Sequence, residues 1–266
     1  MSTLISVKVE RFEPVSLVEL VERAELLTRV DRKYVVPAAE AGGLMDALVG
    51  SARILEVDGC REFGYRSTYF DTPQRDSFLS AGRSQRRRWK VRTRTYLDSG
   101  SSWLEVKTRL ARDQTSKQRI EHPDAHQVDG LTPAGRSFVS TLVGARVAAS
   151  VEPVLDTGYR RTTLFLPASS SRTTIDVDLR WTSLIDGTEL ERPAVAVIET
   201  KSGSTPSAVD RLMWSHGHRP VRISKFGVGM AALDPQLPRL KWHRAMGRHL
   251  GLTTNTPQQG EARDIR

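Results

Sequence analysis

A single cysteine, Cys60, stands among the 266 residues, which excludes an internal disulfide framework. No apolar run approaches the length a bilayer-crossing helix needs. The N-terminus carries no secretory pattern, so a soluble protein of a reducing compartment, the cytoplasm, is expected. The six histidines lack metal-ligand spacing, and His216-x-His218, either side of Gly217, reads as a loop pair rather than a zinc site. What the chain has in excess is positive charge: 40 Lys and Arg against 31 Asp and Glu, a net charge of +9. That balance favours polyanionic partners, whether nucleic acid, acidic membrane surfaces or phosphate-rich small molecules. The length allows a substantial core, in one large domain or two small ones.

The charge is patterned. In Ser84–Tyr96, Arg88, Lys90, Arg92 and Arg94 occupy every second position, with Trp89, Val91, Thr93 and Thr95 between them. Alternate side chains of a strand point to opposite faces, so this stretch predicts one cationic face and one face fit to be packed. A free basic tail would not need the second face.

Other segments repeat the device. After a short helix expected over Leu17–Leu27 and capped by Ser16, a strand ending at Pro37 places Arg29, Asp31 and Lys33 together, opposite Val30 and Tyr34. A helix over Ala38–Val49 is expected behind it. Tyr65–Pro73 reads as a strand closed by an Asp-Thr-Pro turn. In Trp103–Thr108, Glu105 and Lys107 share a face; Lys117 and Arg119 do so in the next short strand. Residues 122–150 read as mostly helical, with Thr132-Pro133 as a helix start. Tyr159 and Arg161 share a face in Val154–Leu166. Arg172, Thr174, Asp176 and Asp178 lie opposite Ile175, Val177 and Leu179, and Glu199 faces with Lys201 at the end of Ala194–Lys201. Pro206–His216 reads as a helix, and Ser224-Lys225-Phe226 leads into a Gly-rich apolar segment. Residues 1–251 are expected as one domain and 252–266 as a disordered polar tail.

In one strand a polar face would simply be the wet side of an antiparallel sheet. Rows of Arg and Lys on several strands, with apolar faces opposite, argue instead for strands closed with their charged faces inward. Cations so enclosed require anions, because uncompensated buried charge is very costly. Phosphate chains and a metal ion are suitable occupants.

These segments, from Arg29-Val30-Asp31-Arg32-Lys33-Tyr34 through Lys90-Val91-Arg92-Thr93-Arg94, Leu104-Glu105-Val106-Lys107, Arg172–Asp176 and Ile198-Glu199-Thr200-Lys201 to Ser224-Lys225-Phe226, resemble the VTC domain in order and spacing. This is the polyphosphate-polymerase domain of the triphosphate tunnel metalloenzyme (CYTH-like) superfamily. The resemblance runs from about Thr28 to Gly229. It implies an α+β fold in which an antiparallel β-barrel tunnel carries helices outside. It also implies ATP and inorganic polyphosphate as partners, and Mn²⁺ or Mg²⁺ as cofactor. Carried over by residue, it implies Lys33, Arg92, Arg94, Lys107, Arg161, Arg172 and Lys201 as catalytic cations. It implies substrate contacts at Arg29, Lys90, Lys117, Arg119, Tyr159 and Lys225, and a metal carboxylate at Glu199.

Hydrolytic relatives open with Glu-x-Glu-x-Lys and carry a second paired-carboxylate strand. Here the two positions read Arg29-x-Asp31-x-Lys33 and Glu199-x-Lys201. Hydrolysis needs a water activated by a base or metal, whereas a terminal phosphate is already an anion and needs its repulsion offset. The cation-rich pattern therefore favours a polymerase over an inorganic or nucleoside triphosphatase. Asp31, Asp176 and Asp178 read either as second-sphere metal ligands or as partners of tunnel arginines, with pairing preferred, and Glu105 is open in the same way. Trp89, Tyr69 and Phe70 read as core, and Arg83 and Arg86 as residues of the tunnel mouth. The remaining alternative is a module that binds polyphosphate or nucleic acid without turnover. The Arg86-Arg87-Arg88-Trp89 run fits a nucleic-acid surface, but cations spread over distant strands beside a lone metal-type carboxylate do not.

Overall fold

In the computed structural model, the described residues are 9–23, 30–109 and 115–252. Eleven strands form one sheet. They are β1 (Glu13–Val15), β2 (Val30–Pro37), β3 (Arg53–Leu55), β4 (Glu62–Asp71), β5 (Arg88–Tyr96) and β6 (Ser102–Arg109). There follow β7 (Thr115–Glu121), β8 (Glu152–Leu166), β9 (Ser171–Ser183), β10 (Glu189–Arg192) and β11 (Val195–Ser202). The helices are α1 (Leu17–Arg23), α2 (Ala38–Leu48), α3 (Asp76–Gly82), α4 (Pro133–Val143), α5 (Ala145–Ser150), α6 (Ala208–Ser215), α7 (Lys225–Leu233) and α8 (His243–Leu250).

The main path runs β2-β11-β9-β8-β4-β5-β6-β7, antiparallel at every step. Among the described residues no ladder joins β2 to β7. The sheet curls, as sheet twist requires over many strands, until Lys107 on β6 is within electrostatic reach of Asp31 and Lys33 on β2. The tunnel is thus enclosed by curl, with β7 as an exposed edge rather than a closing strand.

The alternation read in the sequence decides which face is packed. Tyr34, Val36, Ile175, Val177, Ala196 and Ile198 turn outward against α2 and α6. Phe70, Val91, Leu104 and Val106 turn outward against α4 and α5. Buried Asp210 ties α6 to the sheet, accepting from Tyr34 Oη at 2.8 Å and Thr200 Oγ1 at 2.6 Å. It also completes a reciprocal cap with Ser207.

Helix α7, which sequence periodicity left unassigned, enters the cavity. Ser224 caps it, accepting from Gly227 N at 3.3 Å. Phe226 stacks on Tyr69 with ring centroids 4.9 Å apart, and a Cβ on Gly229 would meet Trp181 Cδ1 at 2.3 Å. Together with Trp242, Met246 and Leu250 it fills the interior end marked by Val35, Val197, Leu179 and Trp181. The 3-10 turn at Leu240–Trp242 and α8 were likewise not read from the sequence.

Other expectations need correction. The helix expected over Leu17–Leu27 is described for Leu17–Arg23, and its last residues lie outside the described residues, as do Arg29 and the 253–266 tail. Residues 122–132 form turns rather than helix, with Asp129 and Gly130 both at positive φ. Asp178 does not share a face with Asp176. It adopts φ +53° at a register shift opposite Gly158 and Arg160, a β-bulge that reverses the alternation. Its carboxylate lies 3.7 Å from Arg160 Nη1, a residue that also binds Glu62, while Leu179 and Trp181 turn inward.

Candidate active site

The inward face collects cations from seven strands and one helix, and three of its carboxylates, Glu105, Asp176 and Glu199, are each clamped by two of them, while Asp31, exposed on β2, lies within electrostatic reach of Lys107 and Lys201. On β5 and β6, Arg92 donates from Nε and Nη2 to Glu105 Oε2 at 2.8 and 2.5 Å, and Lys117 Nζ donates to Oε1 at 2.6 Å. On β8 and β9, Arg161 binds Asp176 in bidentate fashion at 2.6 and 2.8 Å, and Lys225 donates to Oδ2 of the same carboxylate. On β2 and β11, Lys33 Nζ lies 2.9 Å from Glu199 Oε1, with Lys201 Nζ at 3.9 Å. Against the opposing effect of burial, these cations hold Glu105 and Asp176 well below the usual carboxylate range and Glu199 at about 2.

Three further cations, Lys90, Arg94 and Lys107, contact no carboxylate among the described residues. Lys90 Nζ donates to Ser224 Oγ at 3.0 Å and sits over the rings of Tyr69 and Phe226. Arg94 reaches Tyr159 Oη at 3.2 Å and Ser67 Oγ at 3.3 Å. Lys107 forms no ion pair among the described residues, and burial together with Lys33 and Arg92 lowers its pKa. Burial brings Lys90 and Lys201 down to about 8. Arg172 pairs in register with Lys201 and adds to the repulsion there. Such an array is costly without an anion and well formed to receive one.

The fold therefore brings together Lys33, Lys90, Arg92, Arg94, Lys107, Lys117, Tyr159, Arg161, Arg172, Glu199, Lys201 and Lys225. Arg119 stands apart: it is exposed on edge strand β7 and stacks on Trp103 at 4.4 Å. Arg83, Arg86 and Arg87 are exposed. Two tyrosines that the sequence did not assign to the site line it. Tyr69, read as core, accepts from Arg92 Nη1 at 3.0 Å; burial pushes its phenol up, but Arg92, Lys90 and Arg94 bring it down to about 8. Tyr65 stacks on Tyr159 with planes 3° apart, under the guanidinium groups of Arg94 and Arg161. The signal was parity: Tyr65, Ser67 and Tyr69 alternate on β4, with Ser67 and Tyr69 opposite Arg94 and Arg92 in register.

Among the described residues no three of His, Cys, Asp and Glu converge on one point. A cage made of protein ligands alone does not fit, but Mg²⁺ or Mn²⁺ commonly takes one or two carboxylates and completes its shell with substrate phosphates and water. Glu199 meets that description. Opposite it in register is Thr174, whose buried hydroxyl has no hydrogen-bond partner among the described residues and lies on the inward face with Arg172 and Asp176. An ionised carboxylate beside an unsatisfied hydroxyl fits a divalent ion brought with phosphate, which would take the place of the contacts of Lys33 and Lys201.

No curated protein matches the chain. Among solved structures, a Bacillus halodurans protein described as a candidate adenylate cyclase aligns with TM-score 0.49 and 11% identity, over 74% of this chain and 94% of its own. A Hippeastrum protein described as a candidate adenylyl cyclase with a dominant triphosphatase activity aligns with TM-score 0.44 and 15% identity, over 80% and 99%. A Pyrococcus horikoshii protein aligns with TM-score 0.44 and 11% identity, over 76% and 96%. No described helix is long and apolar enough to cross a membrane. The family model of the VTC domain matches residues 28–234, and the chain belongs to that family.

Proposed function

We propose that the tunnel transfers the γ-phosphate of ATP to a polyphosphate chain. The observation that carries this reading is the state of its carboxylates: Glu105, Asp176 and Glu199 are each bound by two cations. None of these three is left in the role of a general base that would prepare water for attack. A chain-terminal phosphate needs no such base. Its obstacle is charge, which Lys90, Arg94 and Lys107, in contact with no carboxylate among the described residues, would offset.

The terminal phosphate oxygen of the chain attacks the γ-phosphorus in line. The bond from that phosphorus to the β,γ-bridging oxygen breaks, ADP leaves, and the chain is one unit longer. Arg92, Arg94, Lys107, Arg161, Arg172 and Lys201 offset the charge spread over the transferring oxygens. Lys33, Lys225 and Tyr159 hold the flanking phosphates. Glu199 would hold Mn²⁺ or Mg²⁺, which when bound neutralises phosphate charge and aligns the phosphate oxygens. The reading is tested by incubating the protein with ATP and Mn²⁺ and resolving the products on a gel: a ladder of polyphosphate is expected, and free phosphate without a ladder would contradict it.

A further inference from the structure

Outside the tunnel, the segment 217–222 and α8 enclose a groove of about 800 Å³. Its cations are Arg219, Arg222, Lys241, Arg244 and Arg248, joined by three histidines, and no Asp or Glu lines it. The carboxylate at its edge, Glu40, is taken by His218 Nε2 at 2.5 Å. Arg244 and Arg248 are exposed, one helical turn apart, and contact no carboxylate among the described residues, a like-charge spacing that disfavours a helix unless an anion lies across it. The buried face of the same helix, Ala245, Met246 and Leu250, seats it so that Arg244 and Arg248 line the groove.

The groove adjoins the strand ends of the tunnel wall, beside the end that α7 and α8 fill. Lys90 pairs in register with Lys107, and Arg88 with Arg109, so the inward cationic rows of β5 and β6 continue to the strand ends. There Lys241 lies within electrostatic reach of Arg88, Arg109 and Arg222, and burial together with these three lowers its pKa. On the other side, Val35 forms part of the groove wall and belongs to the inward face of β2, and Val221 N donates to Lys33 O at 2.7 Å.

We infer that this groove is an outer track for the same linear polyanion, holding the stretch of polyphosphate that extends beyond the tunnel. The inference rests on the tunnel being a polyphosphate site, as proposed above. A rigid duplex or a flat membrane does not follow a concave groove of this size, whereas a flexible single chain can pass from the cationic strand ends at Arg88 and Arg109 into it.

The test compares binding of tripolyphosphate, which the tunnel alone accommodates, with binding of long-chain polyphosphate. In R244Q/R248Q the long chain should bind about 10-fold more weakly, and the slope of log affinity against log salt should fall by about one to two, because two phosphate contacts are lost. Tripolyphosphate affinity should stay within about twofold of the parent, since a groove contact contributes nothing to an anion that does not reach it. R222Q, outside any helix or strand, removes one such contact: if the helix variant does not fold, it should weaken long-chain binding by about threefold and lower the slope by about 0.7–0.9, again sparing tripolyphosphate. Equal long-chain affinity in parent and variants would overturn the track, as would an equal loss for both ligands. So would duplex DNA or phosphatidylglycerol vesicles showing the dependence on these arginines that long-chain polyphosphate lacks. A protein that makes no polyphosphate from ATP, yet loses long-chain binding on these substitutions, would remove the polymerase reading and leave the track standing.

Discussion

Arg92 and Glu105 face each other across β5 and β6, with two guanidinium nitrogens on one carboxylate oxygen and Lys117 on the other. Glu105 is buried, and the pair is the counter-charge the tunnel supplies to itself when no phosphate is present. Replacing Glu105 with Gln keeps the shape and removes the charge. Stability without ligand should fall by about 3 kcal/mol, the lower end for breaking a buried pair because Lys117 remains half exposed. Tripolyphosphate should restore more stability to this variant than to the parent. Thermal unfolding with and without tripolyphosphate reads both; an unchanged ligand-free midpoint would remove Glu105 from this role.

Alkaline pH should move stability and binding in opposite directions. Lys90 and Lys201 ionise at about 8 in the folded chain, against 10.5 ordinarily, so the unfolded chain binds more protons between those values. Stability of the ligand-free protein therefore rises with pH across that window. Tyr69, brought to about 8 from 10.0, acts in the same sense. Over the same window the tunnel loses ammonium charge and gains a phenolate, so tripolyphosphate affinity falls. At the acid end, Glu199 contributes stability above 4.5 that is lost as pH falls toward 2. Parallel denaturation and binding titrations check the signs, and affinity that rises above pH 8 would refute the assignment.

The helix that fills one tunnel end depends on a glycine. A Cβ on Gly227 would stand 2.1 Å from Trp242 Cζ2, and both residues are buried. Gly227→Ala should cost about 1–3 kcal/mol through overpacking. It should also loosen the stack of Phe226 on Tyr69 and the bond of Ser224 to Lys90, weakening tripolyphosphate binding. Urea midpoints and a binding isotherm measure these; neither changes if α7 is not seated as described.

Glu199→Gln separates binding from turnover. Metal-dependent activity should fall by about 100-fold or more, equivalent to roughly 3 kcal/mol of barrier. Affinity for tripolyphosphate in the absence of metal should hold or rise, because Lys33 and Lys201 are released from the carboxylate. Full activity in this variant would withdraw Glu199 as the metal ligand.

The tunnel wall was legible because its alternation is unbroken where it matters. Lys90, Arg92 and Arg94 face inward as the period of two dictates, and Val91, Thr93 and Thr95 are buried behind them. Asp178 was misplaced because a bulge costs one residue of register and leaves no mark in composition. Tyr69 was read as core since an aromatic beside Phe70 looks apolar, and only the pairing of Tyr69 with Arg92 shows that the two neighbours face opposite ways. Helices α7 and α8 escaped for another reason: α7 is apolar almost all round, as a helix buried on several sides must be, so it presents no stripe.

The account stands on transfer to phosphate rather than to water. The most direct measurement follows the products of ATP and Mn²⁺ by ³¹P NMR, comparing ADP with free phosphate and with internal polyphosphate resonances. The account predicts that polyphosphate phosphorus grows in step with ADP while free phosphate stays low. Free phosphate equal to ADP, with no polyphosphate signal, would contradict it.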